Sequence, residues 1–161
     1  MIRTLRREDR EPLRALVAAT GKFTGEEVAI ALELIDTVLN VEGQTDYIIR
    51  VSEDQGTVAG YYCVGPTPAT EGTFDLYWIA VDPARQGRGI GRELDDHACA
   101  LVRDMGGRLL IAETSSRAEY LPTREFYVRR GYRELARIGG YYRPGDDLVV
   151  YGKYLTQLRG G

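Results

Sequence analysis

The stretch "VDPARQGRGIGREL", residues 81–94, sets Gly87, Gly89 and Gly91 within five positions and interleaves them with Gln86, Arg88, Ile90 and Arg92. A strand ending at Val81, a loop this poor in side chains, and a helix beginning near Gly91 aim several backbone N–H groups and the positive helix end at one point. Glycine permits φ > 0 and lets a ligand come close to the main chain. Arg85, Arg88 and Arg92 can add charge-assisted contacts. The chemistry implied is capture of a phosphate or pyrophosphate. Two common phosphate loops do not fit: a Walker A loop ends in Gly-Lys-Ser/Thr, and a dinucleotide fingerprint needs a third glycine where Arg92 or Leu94 stands.

The elements around this loop follow from residue periodicity. "IRTL" predicts a strand, and "EDREPLRALVAATG" a helix with Pro12 early and Gly21 at its end. In "TGEEVAIALELIDTVLN", Val28, Leu32, Ile35 and Leu39 share one helical face, with Thr24 as N-cap and Glu26 and Glu27 in the first turn. "DYIIRVSED" and "TVAGYYCVGP", parted by a turn at Gly56, and then "GTFDLYWIAVDP", predict an antiparallel meander. After the glycine loop, Leu94, Ala98, Leu101, Val102 and Met105 form an apolar helical face closed by Gly106 and Gly107. "RLLIAETS" is a strand, "TREFYVRR" a short helix ending at Gly131, and "YRELARI" and "DLVVYGKYL" two final strands. The order β-α-α-β-β-β-α-β-α-β-β predicts an α/β (α+β) fold: a mixed sheet of about seven strands with about four helices on both faces.

At 161 residues and 18.0 kDa, residues 1–161 make one domain. A 43% apolar and 28% charged composition is that of a globular protein. No run approaches the roughly 18 apolar residues of a membrane span, and "MIRTLRREDREPL" lacks the apolar core of an export signal, so a cytoplasmic location is expected. Cys63 and Cys99 are too far apart for a Cys-x-x-Cys site and are expected as reduced, buried thiols. With net charge -3 and pI near 5.3, neither nucleic acid nor an anionic membrane is an expected partner, and a polyanion must be met locally.

Gln86-x-x-Gly89-x-Gly91, behind a strand ending Val81-Asp82-Pro83, resembles the acyl-CoA loop of the GNAT N-acetyltransferase superfamily, and "TREFYVRRGYRE" resembles that family's A-x-x-F/L-Y-x-x-x-G-F/Y segment. The resemblance covers nearly the whole chain. It implies a mostly antiparallel sheet, splayed centrally where two strands run parallel. It also implies acetyl-CoA as co-substrate, with the pyrophosphate on the N–H groups of Gln86, Gly87, Arg88, Gly89, Ile90, Gly91 and Arg92 and the pantetheine arm on the strand edge near Val81. No metal is required. The acceptor is then a small-molecule amine or a protein N-terminus, and the protein a monomer or homodimer.

Moving an acetyl group to an amine calls for a neutral amine and a proton for the departing thiolate. An ammonium of pKa about 10.4 costs about 4.6 kcal/mol to neutralise at pH 7, which a carboxylate can help supply, and a tyrosine of pKa about 10 remains a loaded donor. The resemblance gives the donor role to Tyr127. Two carboxylates compete for the base: Asp75, where several family members carry that acid, and Glu113, which resembles the acid of the branch acetylating N-terminal alanines of ribosomal proteins. Either could instead recognise the substrate's charge. "ARIGGYYRPGDDLVVYGK" also resembles that branch, and Tyr141, Tyr142, Asp146 and Asp147 either line the amine side of the site or form a turn around Pro144-Gly145 with solvated aspartates. His97 falls on the polar side of its helix and is given no role. The rival reading on the same fold is a non-catalytic acyl-CoA sensor.

Overall fold

The computed structural model describes residues 1–156. The elements are β1 (Ile2–Thr4), α1 (Arg10–Ala19), α2 (Gly25–Asn40), β2 (Ile48–Asp54), β3 (Thr57–Pro66), β4 (Thr73–Val81), α3 (Ile90–Asp104), β5 (Leu109–Ser115), α4 (Leu121–Arg129), β6 (Arg133–Arg143) and β7 (Asp146–Tyr154). The strands form one sheet in the order β1-β2-β3-β4-β5-β7-β6. β1/β2, β2/β3, β5/β7 and β6/β7 are antiparallel, and β4/β5 is parallel. The parallel ladder is short, from Thr73↔Leu109 to Asp75↔Ile111. This is the mixed, mostly antiparallel sheet expected of the sequence.

The chain forms two compact units, one of Met1–Gly65 with Tyr77–Ala98, the other of Pro66–Leu76 with the chain from Cys99 onward. In the first, Leu13, Leu16 and Val17 of α1 and Ala31 and Ile35 of α2 bury against Ile49, Val51, Tyr61 and Cys63. Thr24 caps α2, accepting the Glu27 N–H at 3.2 Å. The β2–β3 turn is left-handed at both Gln55 (φ 51°) and Gly56 (φ 77°), the conformation a two-residue hairpin requires. Tyr61 to Gly65 are buried without interruption, because β3 is covered on both faces.

Gly60 is where α3 and β4 approach β3 most closely: a Cβ there would lie 2.7 Å from the Ala80 carbonyl oxygen and 3.0 Å from Leu94 Cδ1. Gly60→Ala is therefore expected to cost about 1–3 kcal/mol by overpacking, read as a lower melting temperature and denaturation midpoint. An unchanged midpoint would mean that the backbone yields freely here.

In the second unit, β7 lies between β5 and β6. Three sequence expectations are corrected here. Met105 is 49% exposed, because α3 ends at Asp104 and the chain turns at Gly106 (φ 83°) before Met105 can reach the apolar face. α4 begins at Leu121 rather than Thr123, with Pro122 in its first turn, where a missing N–H costs nothing. β6 runs on through Ile138 to Arg143, so the "GGYYR" segment is strand and only Pro144 and Gly145 turn.

Candidate active site

The glycine loop belongs to the first unit. Asp82 begins it by accepting the Ala84 N–H at 3.0 Å and pairing with Arg85. Arg85 also lies 3.5 Å from Asp54, so this arginine braces the loop. Arg88 and Arg92 are exposed and have only long contacts, at 3.8 Å to Asp54 and 3.9 Å to Asp96, which leaves them able to turn toward an anion. Gly87 (φ 80°) and Gly89 (φ 82°) are left-handed, and nothing stands within 4 Å of where either Cβ would be. The first bond of α3 is Glu93 N–H to the Gly89 carbonyl, at 3.0 Å. Among the described residues, the backbone N–H groups of Gln86, Gly87, Arg88, Gly89, Ile90, Gly91 and Arg92 meet no acceptor. Such a run of open donors at a helix N-terminus is able to accept an anion.

His97, on the same helix, is half-buried rather than on a polar face, and its Nδ1 lies 2.7 Å from the Tyr62 hydroxyl. Burial, and then the Arg50 charge, hold its imidazole below the usual range, so it is neutral at pH 7.

The carboxylates belong to the second unit. Asp75 stands opposite Ile111 in the parallel ladder, and Glu113, two residues along β5, shares that face. The Thr67 hydroxyl donates to Asp75 at 2.7 Å. Burial, and then the Asp75 charge, push the Glu113 carboxyl above the usual range, as expected of two carboxylates sharing one site. Neither acid forms an ion pair among the described residues. A carboxyl raised in this way, yet exposed, has the character of a general base.

Tyr127, on α4, is buried, with its ring centroid 5.1 Å from Tyr132 and 5.7 Å from Tyr151. Arg124, one turn earlier, donates through Nη1 to the carbonyls of Ser115 and Arg117, both at 2.8 Å, and so ties α4 to the end of β5.

The β6–β7 hairpin corrects the reading of Asp146 as a solvated aspartate. Asp146 is 3% exposed, accepts the Ser115 hydroxyl and lies 3.4 Å from Arg117 and 3.8 Å from Arg143. Asp147 accepts the Gly140 N–H at 2.9 Å, lies 3.3 Å from Arg137, and its own N–H donates to Ser116 Oγ at 2.8 Å. Asp146 is thus buried rather than solvated, Asp147 keeps a side chain 27% exposed, and both brace the hairpin. Tyr141 and Tyr142 are exposed, edge to face at 5.0 Å. Burial, and then the Glu113 charge, push the Tyr142 hydroxyl up to about 12. Sequence reasoning missed Arg117, Arg124 and Ser115, whose partners lie up to 31 positions away and follow no local spacing.

A family model described as "Acetyltransferase (GNAT) domain" matches residues 45–134, more than half of the chain. A GNAT-family protein from Desulfovibrio desulfuricans is 43% identical, with 97% of this chain and 99% of that one covered and a TM-score of 0.90. The 5-NmdU N-acetyltransferase of Pseudomonas phage PaMx11 is 27% identical over 106 residues, 66% of this chain and 69% of its own. The ribosomal-protein-S18-alanine N-acetyltransferase from Escherichia coli, 21% identical over 97% of this chain and 94% of its own, shares the fold with a TM-score of 0.76. Chains of the same fold solved with coenzyme A or acetyl-CoA bound are also similar to this one, at lower identity.

Proposed function

The chain belongs to the GNAT acetyltransferase family, and on that premise we propose that residues 1–161 act as one domain that moves an acetyl group from acetyl-CoA to a primary amine, by direct transfer in a ternary complex in the cytoplasm. The observation that carries the reading is the run of acceptor-free N–H groups from Gln86 to Arg92, flanked by the exposed Arg88 and Arg92. These groups would hold the CoA pyrophosphate, with the strand end at Val81 for the pantetheine arm. The co-substrate supplies an activated acetyl thioester; the protein supplies proton transfer and orientation. Glu113 would take one proton from the acceptor ammonium and Tyr127 would give one to the departing thiolate; the second proton that the nitrogen loses as the amide forms restores the tyrosine, and the one on Glu113 returns to solvent, so that charge and protons balance. Asp75 would act on Glu113, raising its proton affinity. Tyr141 and Tyr142 would contact the acceptor, while Asp146 and Asp147 hold the hairpin that presents them. The buried pairing of Cys63 with apolar neighbours pushes its thiol up to about 12, which suits a chemistry without cysteine.

The test is the pH dependence of kcat/KM for an amine. With Glu113 as base, the rate falls as pH drops through its raised pKa. A like charge favours the protonated form, so removing Asp75 lowers the Glu113 pKa. Asp75→Asn is expected to shift the acidic limb to lower pH while retaining turnover. Glu113→Gln should remove the limb and lower kcat by about 10²-fold or more. Loss of all activity in Asp75→Asn with the limb intact in Glu113→Gln would make Asp75 the base. Acetyl-CoA binding without turnover across an amine panel would favour the sensor.

A further inference from the structure

A buried carboxylate that the transfer reaction leaves unused stands where β5 ends and the chain turns into α4. Asp146, the first residue of β7, accepts the Ser115 hydroxyl, and Ser115 Oγ in turn accepts the Arg117 N–H at 3.1 Å. The other Asp146 oxygen lies 3.4 Å from Arg117 Nε and 3.8 Å from Arg143 Nε. Arg117 Nε is buried with no hydrogen-bond partner among the described residues, so the charge of Asp146, not a hydrogen bond, steadies it. The Arg117 guanidinium also covers the Tyr120 ring, 5.3 Å from its centroid, at the residue that precedes α4. From within α4, Arg124 Nη1 donates to the carbonyls of Ser115 and Arg117, both at 2.8 Å. Residues 115–117 therefore act as a clip. Asp146 sets the clip from one side, and α4 hangs on it from the other through Tyr120 and Arg124. Tyr127 follows Arg124 by three positions, on the same side of the helix. Glu113 is held differently: the ladder pairs Glu113↔Val150 and Ser115↔Leu148 fix its strand through backbone bonds, which outlast the loss of a side chain.

We propose, building on the acetyl-transfer reading above, that Asp146 is a positioning residue for proton delivery: through Ser115 and Arg117 it sets the entry of α4, and so the place of the Tyr127 hydroxyl. A helix displaced by a fraction of an ångström still packs and still lets both substrates bind, yet it forfeits part of what a general acid contributes. The departing thiolate thus feels the loss of Asp146, and the base does not.

The experiment uses the whole 161-residue chain with acetyl-CoA and, as acceptors, spermidine, kanamycin and an alanine-led peptide, each variant being read with the amine that wild type acetylates fastest. Asp146→Asn keeps the shape and removes the charge. Ser115→Ala keeps the ion pair and removes only the hydroxyl, so it carries the test if Asp146→Asn does not fold. Each is expected to lower kcat by about tenfold or more, with both KM values and the acidic limb of the pH profile nearly unchanged. In a Tyr127→Phe background the same substitutions should cost almost nothing further, because a positioning residue has no effect once the group it positions is gone. Costs that multiply in the double variants, a displaced acidic limb, or an unchanged kcat in the single variants would overturn the inference. If Tyr127→Phe runs as fast as wild type, or no amine is acetylated, the transfer reading itself fails at that residue. Fluorine NMR of protein grown with 3-fluorotyrosine then decides the positioning separately, the Tyr127 signal being the one absent from Tyr127→Phe. A Tyr127 signal displaced in Ser115→Ala, with those of Tyr47, Tyr61, Tyr62 and Tyr77 in place, upholds the inference; a Tyr127 signal that stays put overturns it.

Discussion

Replacing Tyr127 by Phe is expected to lower kcat by about 10²- to 10⁴-fold, the range typical of a lost general acid, while leaving stability and acetyl-CoA affinity nearly unchanged. The substitution removes one oxygen and keeps the ring that packs against Tyr132 and Tyr151, so a collapse of that aromatic cluster would not be the cause. The barrier added is about 3–5 kcal/mol. A donor with a more acidic thiol needs less protonation as it leaves, and with such a donor the deficit should narrow. Equal deficits with both donors, or a kcat within about threefold of wild type, would leave Tyr127 a packing residue and give the proton to water. Arg124, which fixes α4 to the Ser115 and Arg117 carbonyls, offers a second reading: Arg124→Met should misplace Tyr127 and lower kcat without moving the pH limb set by Glu113.

What the sequence made legible depended on how local the cause was. The glycine loop could be read because its requirement is local: positive φ at Gly87 and Gly89, then a helix start, all within a few residues. Thr24 as a cap and Gly56 in its hairpin turn are local in the same sense. The acid pair was half legible. Asp75 and Glu113 stood out as carboxylates in apolar strands, but their sharing one face, and with it the direction of the Glu113 shift, follows from the β4–β5 register, which no spacing encodes. The hairpin misled. Asp146 read as solvated because its partners, Ser115 and Arg117, come from β5 and the segment after it. A buried carboxylate is tolerable only with such partners, and long-range partners are what a sequence hides.

Gly89→Val should abolish the stabilisation that coenzyme A gives while leaving the fold intact. Bound at about 100 times its Kd, a ligand adds about 2.7 kcal/mol to stability, so the wild-type melting temperature should rise clearly with CoA. At Gly89 two effects of valine act together. At φ 82° a β-branched side chain is strained, at a cost of about 1–3 kcal/mol if the backbone holds, and it will tend to swing the loop out of its donor-presenting form. If the backbone does hold, nothing within 4 Å opposes the new Cβ, so valine adds bulk to a loop that a phosphate must approach closely. Either way the anion loses its donors. Gly89→Ala separates the two: it carries much of the backbone strain with little of the bulk, so a partial loss of affinity in Ala and a complete loss in Val would show that occlusion adds to strain. Apo-protein melting monitors the fold itself, since Gly89 packs against no neighbour and its replacement should cost only the local strain. An undiminished CoA affinity in Gly89→Val, measured by calorimetry, would remove the loop from the cofactor site and with it the main support for acetyl-CoA as the donor.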